Sequence, residues 1–238
     1  MEYLCNSLLD EAVATGLNVA LIGEAGAGKQ RTARLLHARK RTIEFRNYDF
    51  HIGDTEHWSL IERFINELSP RLTGSAPSTK TYFLRNIQVL DRKQILNLLD
   101  YFYTQLDNGG SSSFAILHAG LICSCEPHVT ERSPYRELIT QFFPIEINMP
   151  PLRERRDKIT TLVSEFLSEY AGSNETVLAG IEDDARALLE NYCWPGNISE
   201  LKSVLGHACT LVRRGETISR DIIEKRLGIA SAFLLNKM

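Results

Sequence analysis

The sequence predicts an α/β domain with a parallel β-sheet, followed by a smaller domain composed only of helices. Short apolar runs alternate with amphipathic segments over the first 150 residues, which is the pattern of parallel strands joined by helices. After Pro150 and Pro151, only helical periodicity remains. We therefore expect an α/β domain at residues 1–150 and a helical domain with a short tail at residues 151–238.

In the first domain, the predicted elements alternate regularly along the chain. Apolar residues recur at helical spacing over residues 4–13, and Thr15 and Gly16 end that helix. An apolar strand at residues 17–22 and an amphipathic helix at residues 30–39 come next. The remaining predictions are strands at residues 42–45, 81–87, 114–123 and 142–147, helices at 59–68 and 92–106, and a flexible linker at 69–78.

In the second domain, four helical segments are predicted, and the residues that precede two of them support the assignment. Asn197 and Ser219 favour the N-cap position, where a side-chain oxygen accepts a hydrogen bond from a free backbone N–H. The segments are residues 157–171, 182–192, 198–212 and 219–227.

A glycine-rich segment follows the first apolar strand. Residues 23–29 read GEAGAGK, a complete G-x-x-x-x-G-K phosphate loop. Its glycines let successive backbone N–H groups point at phosphate oxygens, the next helix presents its positive N-terminus, and Lys29 adds a mobile charge. The predicted nucleotide-binding residues are Gly23, Glu24, Ala25, Gly26, Ala27, Gly28, Lys29 and Gln30.

The composition excludes several classes of protein. No segment approaches the roughly 18 uncharged apolar residues needed to cross a membrane, and the N-terminus lacks the basic region and apolar core of a secretory signal. The five cysteines form no C-x-x-C pair, which favours free thiols in a reducing compartment. A net charge of −3 argues against a strongly basic nucleic-acid surface. We expect a cytoplasmic protein without membrane contact.

Four motifs of this sequence occur together in one known family. The phosphate loop with its preceding strand is similar to VLIxGExGTGKE, and residues 33–37 are similar to ARxIH. Residues 150–155 read PPLRER, and residues 194–201 resemble WPGNxREL. Over residues 17–228 the chain thus resembles the AAA+ ATPase domain, or sigma-54 interaction domain, of bacterial enhancer-binding proteins. This resemblance implies a P-loop domain of three αβα layers with a parallel sheet, followed by a small all-α lid domain.

The positions that the family uses for hydrolysis carry other residue types. Residues 81–87 resemble TLFLDEI, but Arg85 and Asn86 stand where the resemblance implies Asp and Glu. That Asp would hold Mg²⁺ through water, and that Glu would polarise the attacking water. Further replacements are Gly120 and Leu121 at the phosphate sensor, Gln141 at the second arginine finger and Ser199 at the lid arginine.

Two family positions are retained. Arg136 matches the first arginine finger, and Asn47 matches the asparagine that restrains the catalytic Glu.

An arginine finger alone contributes about 10³ to 10⁵ in rate. The replacements at the other family positions, taken together, therefore predict binding of ATP or ADP without hydrolysis. We therefore expect neither catalytic residues nor metal ligands, and little binding of Mg²⁺.

The resemblance implies a pseudo-ATPase that regulates transcription by assembling with other proteins. Its expected partners are other AAA+ protomers or a transcription activator, in a homo- or hetero-oligomer. The GAFTGA loop that contacts the sigma factor does not occur between Lys29 and Arg85. We also expect no helix-turn-helix domain after Leu227, and therefore no direct DNA binding.

Three alternatives remain open at this point. An active but diverged ATPase would take its missing acid from Asp91, Glu126 or Glu137. A purely structural interaction module would bind no nucleotide and retain Lys29 without a function. In the third alternative, Arg85 contacts a phosphate directly.

Overall fold

The computed structural model describes residues 4–72, 80–107, 115–174, 180–213 and 215–235. The chain divides into two compact units. The first, called the sheet unit, comprises residues 1–24 and 28–149. The second, called the helical unit, comprises Ala25–Ala27 together with residues 150–238. The tip of the phosphate loop is thus assigned to the helical unit, and its two arms belong to the sheet unit.

The sheet unit is built on a five-stranded parallel sheet with the strand order β2-β3-β4-β1-β5. All residues of β1 and β4 are buried, as expected for central strands of a parallel sheet covered on both faces. The predicted α/β class is confirmed. The strands are β1 (Val19–Gly23), β2 (Glu44–Asp49), β3 (Lys80–Arg85), β4 (Leu121–Cys125) and β5 (Ile145–Met149).

Helices connect the strands of the sheet unit. Their apolar faces contribute Phe64, Phe102 and Phe142 to one core, in which each of these rings is fully buried. The helices are α1 (Leu4–Thr15), α2 (Lys29–Lys40), α3 (His57–Leu72), α4 (Arg92–Asp107) and α5 (Tyr135–Phe142).

The position of β4 differs from the prediction. A strand was expected at residues 114–123, but β4 begins at Leu121, and Phe114 lies outside the described residues. Residues 116–119 form a turn that leads to Gly120, whose φ of 75° suits glycine. Ile116 and Ala119 in this turn are buried, so the apolar run reports burial rather than strand geometry.

Other segments also differ from the prediction, among them the strand expected at residues 42–45, which spans Glu44–Asp49. Residues 69–72 of the expected linker continue helix α3 past Pro70, because Leu68 and Leu72 are buried in the core, and residues 73–79 lie outside the described residues. The strand expected at residues 142–147 begins only at Ile145, since Phe142 is the last residue of α5.

In the described part of the helical unit, four α-helices surround a core of their own, which includes the fully buried Trp194. Its indole nitrogen donates to the Leu189 carbonyl oxygen at 2.8 Å. Two short parallel strands, β6 (Gly180–Ile181) and β7 (Thr217–Ile218), were not predicted. The helices are α6 (Ile159–Asn174), α7 (Asp183–Asn191), α8 (Asn197–Leu211) and α9 (Arg220–Leu235).

The prediction that Asn197 caps α8 is wrong. Gly196 occupies the N-cap position, and Asn197 is the first residue of the helix with a φ of 54°. The carboxylate of Glu200 accepts a hydrogen bond from the Gly196 N–H at 2.8 Å, which satisfies one of the free donors at the helix start. Ser219 directly precedes α9, as predicted. Within the ranges that the structure describes, no helix combines the length and apolarity needed to cross a bilayer.

A fully buried asparagine joins three parts of the sheet unit where β1 begins. The Asn18 side-chain amide donates to the Ile116 carbonyl oxygen at 2.7 Å and to the Phe142 carbonyl oxygen at 3.0 Å. Its side-chain oxygen accepts the Leu121 N–H at 2.9 Å. Three buried backbone groups thus depend on one side chain, and the Leu121 bond fixes where β4 begins.

We expect Asn18→Leu to lower the free energy of unfolding by about 3 kcal/mol, because it leaves buried backbone groups without partners. Urea denaturation followed by circular dichroism measures this loss. The matched control is Asn97→Leu, at an exposed position of α4, where the change should stay within about 0.5 kcal/mol. Equal effects of the two substitutions would contradict the role given to Asn18.

Candidate functional site

The arms of the phosphate loop are positioned by β1 and α2. Gly23 is the last residue of β1 and lies beside Met149 of β5. A Cβ at Gly23 would lie 2.8 Å from both Cβ and the carbonyl oxygen of Met149, so the strand pairing itself requires glycine. Gly28 occupies the N-cap of α2 with a φ of 103°, a backbone that glycine adopts without strain. Gln30 is half-buried in the first turn of α2.

Lys29 closes the loop on itself. Its ammonium group donates to the Gly23 carbonyl oxygen at 2.5 Å and to the Glu24 carbonyl oxygen at 2.9 Å. The residue is buried, and burial lowers the pKa of Lys29, whereas the nearby carboxylate of Glu126 raises it. An ammonium group carries three N–H donors, so Lys29 can hold the loop and still offer a donor to an anion.

The carboxyl ends of the parallel strands bring a second group of polar side chains to the same edge of the sheet. Asp49 ends β2 and is paired in register with Arg85, which ends β3. The Asp49 carboxylate accepts a hydrogen bond from the Arg85 guanidinium and another from Asn86 Nδ2 at 3.0 Å. Because only 16% of the Asp49 side chain is exposed, this ion pair is partly protected from solvent screening.

Asn86 is held by its backbone as well as its side chain. Its φ of 60° and ψ of 46° lie in the left-handed region, which asparagine tolerates better than most residues. Its N–H donates to the Ser124 hydroxyl oxygen at 3.1 Å. Arg85 and Asn86 therefore have defined partners in β2 and β4.

The structure corrects the sequence assignment of Asn47. Asn47 is exposed and lies opposite Phe83, two residue pairs before the pair of Asp49 and Arg85 that ends the strands. Asp49 is the residue of β2 that contacts Asn86. Sequence reasoning missed Asp49, because the predicted strand ended at residue 45 and the pairing of Asp49 with Arg85 depends on the register of the sheet.

The assignment of the phosphate sensor to Gly120 and Leu121 is also wrong. Leu121 begins β4 and pairs with Tyr82, so both residues lie at the amino end of the strand. The residues at the carboxyl end are Ser124, Cys125 and Glu126. Burial raises the pKa of Cys125 to about 12, which keeps this thiol neutral near pH 7.

The three acids proposed for a diverged ATPase have different surroundings. Asp91 exchanges two hydrogen bonds with Gln94 at 2.8 and 2.9 Å, the capping box of α4. Glu137 accepts a hydrogen bond from the Tyr103 hydroxyl at 2.9 Å. Glu126 directly follows β4, and of the three only its charge is among those that act on Lys29.

The two candidate arginine-finger positions both lie on α5. Arg136 and Gln141 are exposed there, so neither is held in the core of the sheet unit.

The tip of the loop, Ala25–Ala27, is bound through its backbone within the helical unit. Each of its three carbonyl oxygens accepts a hydrogen bond from this unit. The donors are Asn197 Nδ2 to Ala25 at 2.9 Å, Ile198 N to Gly26 at 3.1 Å and Arg155 Nη2 to Ala27 at 3.2 Å.

Asn197 links two of the sequence motifs. While its amide nitrogen donates to Ala25, its side-chain oxygen accepts the Leu152 N–H at 2.7 Å. Leu152 belongs to the PPLRER segment, and Asn197 belongs to WPGNISEL. Both motifs therefore contribute to one buried network around the loop tip.

Gly26 is required by the same packing. Its φ is 74°, and a Cβ added there would lie 2.3 Å from the Gly196 carbonyl oxygen. It would also lie 3.1 Å from Cβ of Ser199, the exposed residue at the position where the resemblance implies arginine. The glycine thus has a structural reason that is independent of any ligand.

Comparisons with known proteins match the helical unit to a domain family and most of the chain to bacterial regulatory proteins. The AAA+ ATPase lid domain family matches residues 153–232. The response regulator protein PilR of Pseudomonas aeruginosa is 27% identical over 219 residues, which is 86% of this chain and 49% of that protein. The alginate biosynthesis transcriptional regulatory protein AlgB of Pseudomonas putida is 28% identical over 212 residues, 83% of this chain and 47% of that protein. The chain spans about half the length of these relatives.

A solved structure has the same fold. The NtrX protein of Brucella abortus, crystallised in complex with ATP, superposes with a TM-score of 0.65 and 20% sequence identity. The match covers 91% of this chain and 53% of that chain.

We expect Asn197→Asp to destabilise the protein by about 3 kcal/mol, because it places a carboxylate, fully buried, against the Ala25 carbonyl oxygen. Burial raises the pKa of such a carboxyl in the folded state, so the unfolded state releases its proton first as the pH rises. The loss should therefore be larger at pH 8 than at pH 5. Urea denaturation at both pH values measures it, with the exposed Asn97→Asp as the control; a loss independent of pH would contradict this account.

Proposed function

Because the chain carries an AAA+ domain of the kind found in sigma-54-dependent transcription activators, we propose that it binds ATP or ADP without hydrolysing it. The observation that carries this proposal is the contrast between two parts of one sheet edge. The phosphate loop keeps its glycines and Lys29, whereas the end of β3 carries Arg85 and Asn86 bonded to Asp49. The crystal structure of NtrX with ATP supports the choice of nucleotide.

Hydrolysis needs a group that accepts or orients a proton of the attacking water. The amide of Asn86 cannot accept that proton, and the carboxylate of Asp49 is occupied by two donors. The proposed binding residues are residues 23–30. Their backbone N–H groups and the ammonium group of Lys29 would bind the phosphates.

The proposed biological role is regulation of transcription. The curated relatives include a response regulator and a transcriptional regulatory protein, each matched over about half its length. An AAA+ module without turnover can still act by assembling with other proteins, so we assign it other AAA+ protomers or a transcription activator as partners.

One observation favours a second candidate function, a slow ATPase. Glu126 directly follows β4 and acts electrostatically on Lys29, so a carboxylate is present near the loop. In this function Glu126 would orient the water.

Another observation favours a structural module that binds no nucleotide. The packing of Gly26 against Gly196 explains that glycine without a ligand.

Isothermal titration calorimetry with ATP and ADP, combined with a phosphate-release assay, distinguishes these functions. We expect binding, phosphate release at the background level, and an affinity at least about tenfold lower in Lys29→Ala, since a charge-assisted hydrogen bond is lost. The control Lys93→Ala, at an exposed position of α4, should bind like the wild type. Thermal melting of each variant shows whether it is folded.

Two results would contradict the proposal. Phosphate release that disappears in Glu126→Gln would establish the slow ATPase. No heat with either nucleotide, from folded wild-type protein, would favour the structural module.

The regulatory role is tested by affinity purification of the tagged protein from its native cell, followed by mass spectrometry. We expect an AAA+ transcription activator among the proteins recovered, because AAA+ protomers assemble with one another in the proposed role. The untagged strain serves as the control. Recovery of neither an AAA+ protein nor a component of transcription would overturn this part of the proposal.

A further inference from the structure

We infer that this chain binds its nucleotide without a divalent cation, and that the guanidinium of Arg85 supplies the positive charge instead. This inference rests on the proposed nucleotide binding and concerns the same loop. It also makes Arg85 a nucleotide-binding residue.

The residues present do not fit Mg²⁺. P-loop proteins hold this ion with a Ser or Thr of the loop and an Asp at the end of a neighbouring strand. Here Arg85 ends that strand in place of Asp, while Gln30 follows Lys29 at a position where the motif of the resembled family has Glu. Among the residues that the structure describes, no group of three or more His, Cys, Asp and Glu side chains could hold a metal ion.

The one carboxylate at the end of β2 is already used. Asp49 accepts hydrogen bonds from Arg85 and Asn86, so a cation that approached it would displace or meet a guanidinium. A divalent cation at the Asp49 carboxylate would lie beside a guanidinium of like charge, which repels it.

Arg85 is placed to reach a bound phosphate. Strand β4 pairs with both β1 and β3, so Gly23 and Arg85 end strands that lie two strand spacings apart, about 10 Å across the sheet. The register also places Gly23 two residues further along the strand direction than Arg85. Arg85 and Lys29 are close enough that the guanidinium helps lower the pKa of Lys29. A phosphate between the two cations would be attracted by both.

Asp49 orients this arginine. One of the terminal nitrogens of Arg85 is bonded to Asp49, and a guanidinium has five N–H donors in a fixed plane. About a third of the Arg85 side chain is exposed, which leaves part of the group accessible to a ligand. Planar donors of this kind bind phosphate in a bidentate manner.

The inference is tested by titrating the full-length chain with ADP in excess MgCl₂ and in excess EDTA. We expect the dissociation constant for ADP measured in EDTA to be equal to or lower than the dissociation constant measured in MgCl₂. A constant at least about tenfold lower in MgCl₂ would overturn the inference and leave the proposed nucleotide binding intact. No binding under either condition would overturn both.

Three variants test whether Arg85 is responsible for the binding of ADP in EDTA. Arg85→Met should weaken binding in EDTA by about tenfold to a hundredfold, the usual loss for one charge-assisted contact, whereas Arg92→Met at the exposed start of α4 should not change it. Asp49→Asn keeps the guanidinium but removes the carboxylate that orients it, so this variant should weaken binding in EDTA by less than Arg85→Met does. Unchanged affinity in a folded Arg85→Met variant, checked by thermal melting, would overturn the role of Arg85.

A triple variant tests whether dependence on Mg²⁺ can be restored. Asp49→Asn, Arg85→Asp and Asn86→Glu together restore the acidic pair of the related activators and remove the guanidinium. This variant should require Mg²⁺, with an affinity for ADP at least about tenfold higher in MgCl₂ than in EDTA. Equal affinities under the two conditions would argue against the exchange of a metal ion for an arginine.

Discussion

The site depends on the hydrogen bonds that the Asp49 carboxylate accepts from Arg85 and Asn86. Strands β2 and β3 are parallel and in register, so Asp49 and Arg85 end side by side, and Asn86 turns back toward the same carboxylate. The acidic residue Asp49 ends β2, the basic residue Arg85 ends β3, and the amide residue Asn86 follows Arg85. The charges of Asp49 and Arg85 are therefore paired with each other at the ends of β2 and β3, and β3 ends without a carboxylate.

The retained motifs have a structural role that does not require catalysis. Asn197 and Arg155 donate to carbonyl oxygens of the loop tip, and Asn197 also accepts the Leu152 N–H. A buried polar network of this kind is costly to disrupt, because every member that loses its partner keeps its desolvation penalty. The packing of the PPLRER and WPGN segments thus accounts for these motifs without reference to hydrolysis.

A nucleotide that is bound and not hydrolysed acts as a stabilising ligand. At a hundred times its dissociation constant it adds about 2.7 kcal/mol to the free energy of unfolding. Under the proposed function, the loop would respond to the concentration of nucleotide rather than to its hydrolysis. Because Arg85 replaces the metal ion in this proposal, the response would not depend on Mg²⁺.

The sequence by itself determined the parallel α/β class, the helical second unit, the phosphate loop and the replacements at Arg85 and Asn86. Local patterns specify the α/β class, the helical unit and the phosphate loop, since alternation and glycine spacing are read over a few residues. The two replacements follow from the resemblance to the family motif TLFLDEI. Only the tertiary structure decided that Asp49, not Asn47, meets Asn86, that β4 ends at Cys125, and that Asn197 binds the loop tip. Strand register depends on contacts between distant residues, such as Asn18 with Leu121, and a buried turn is as apolar as a strand.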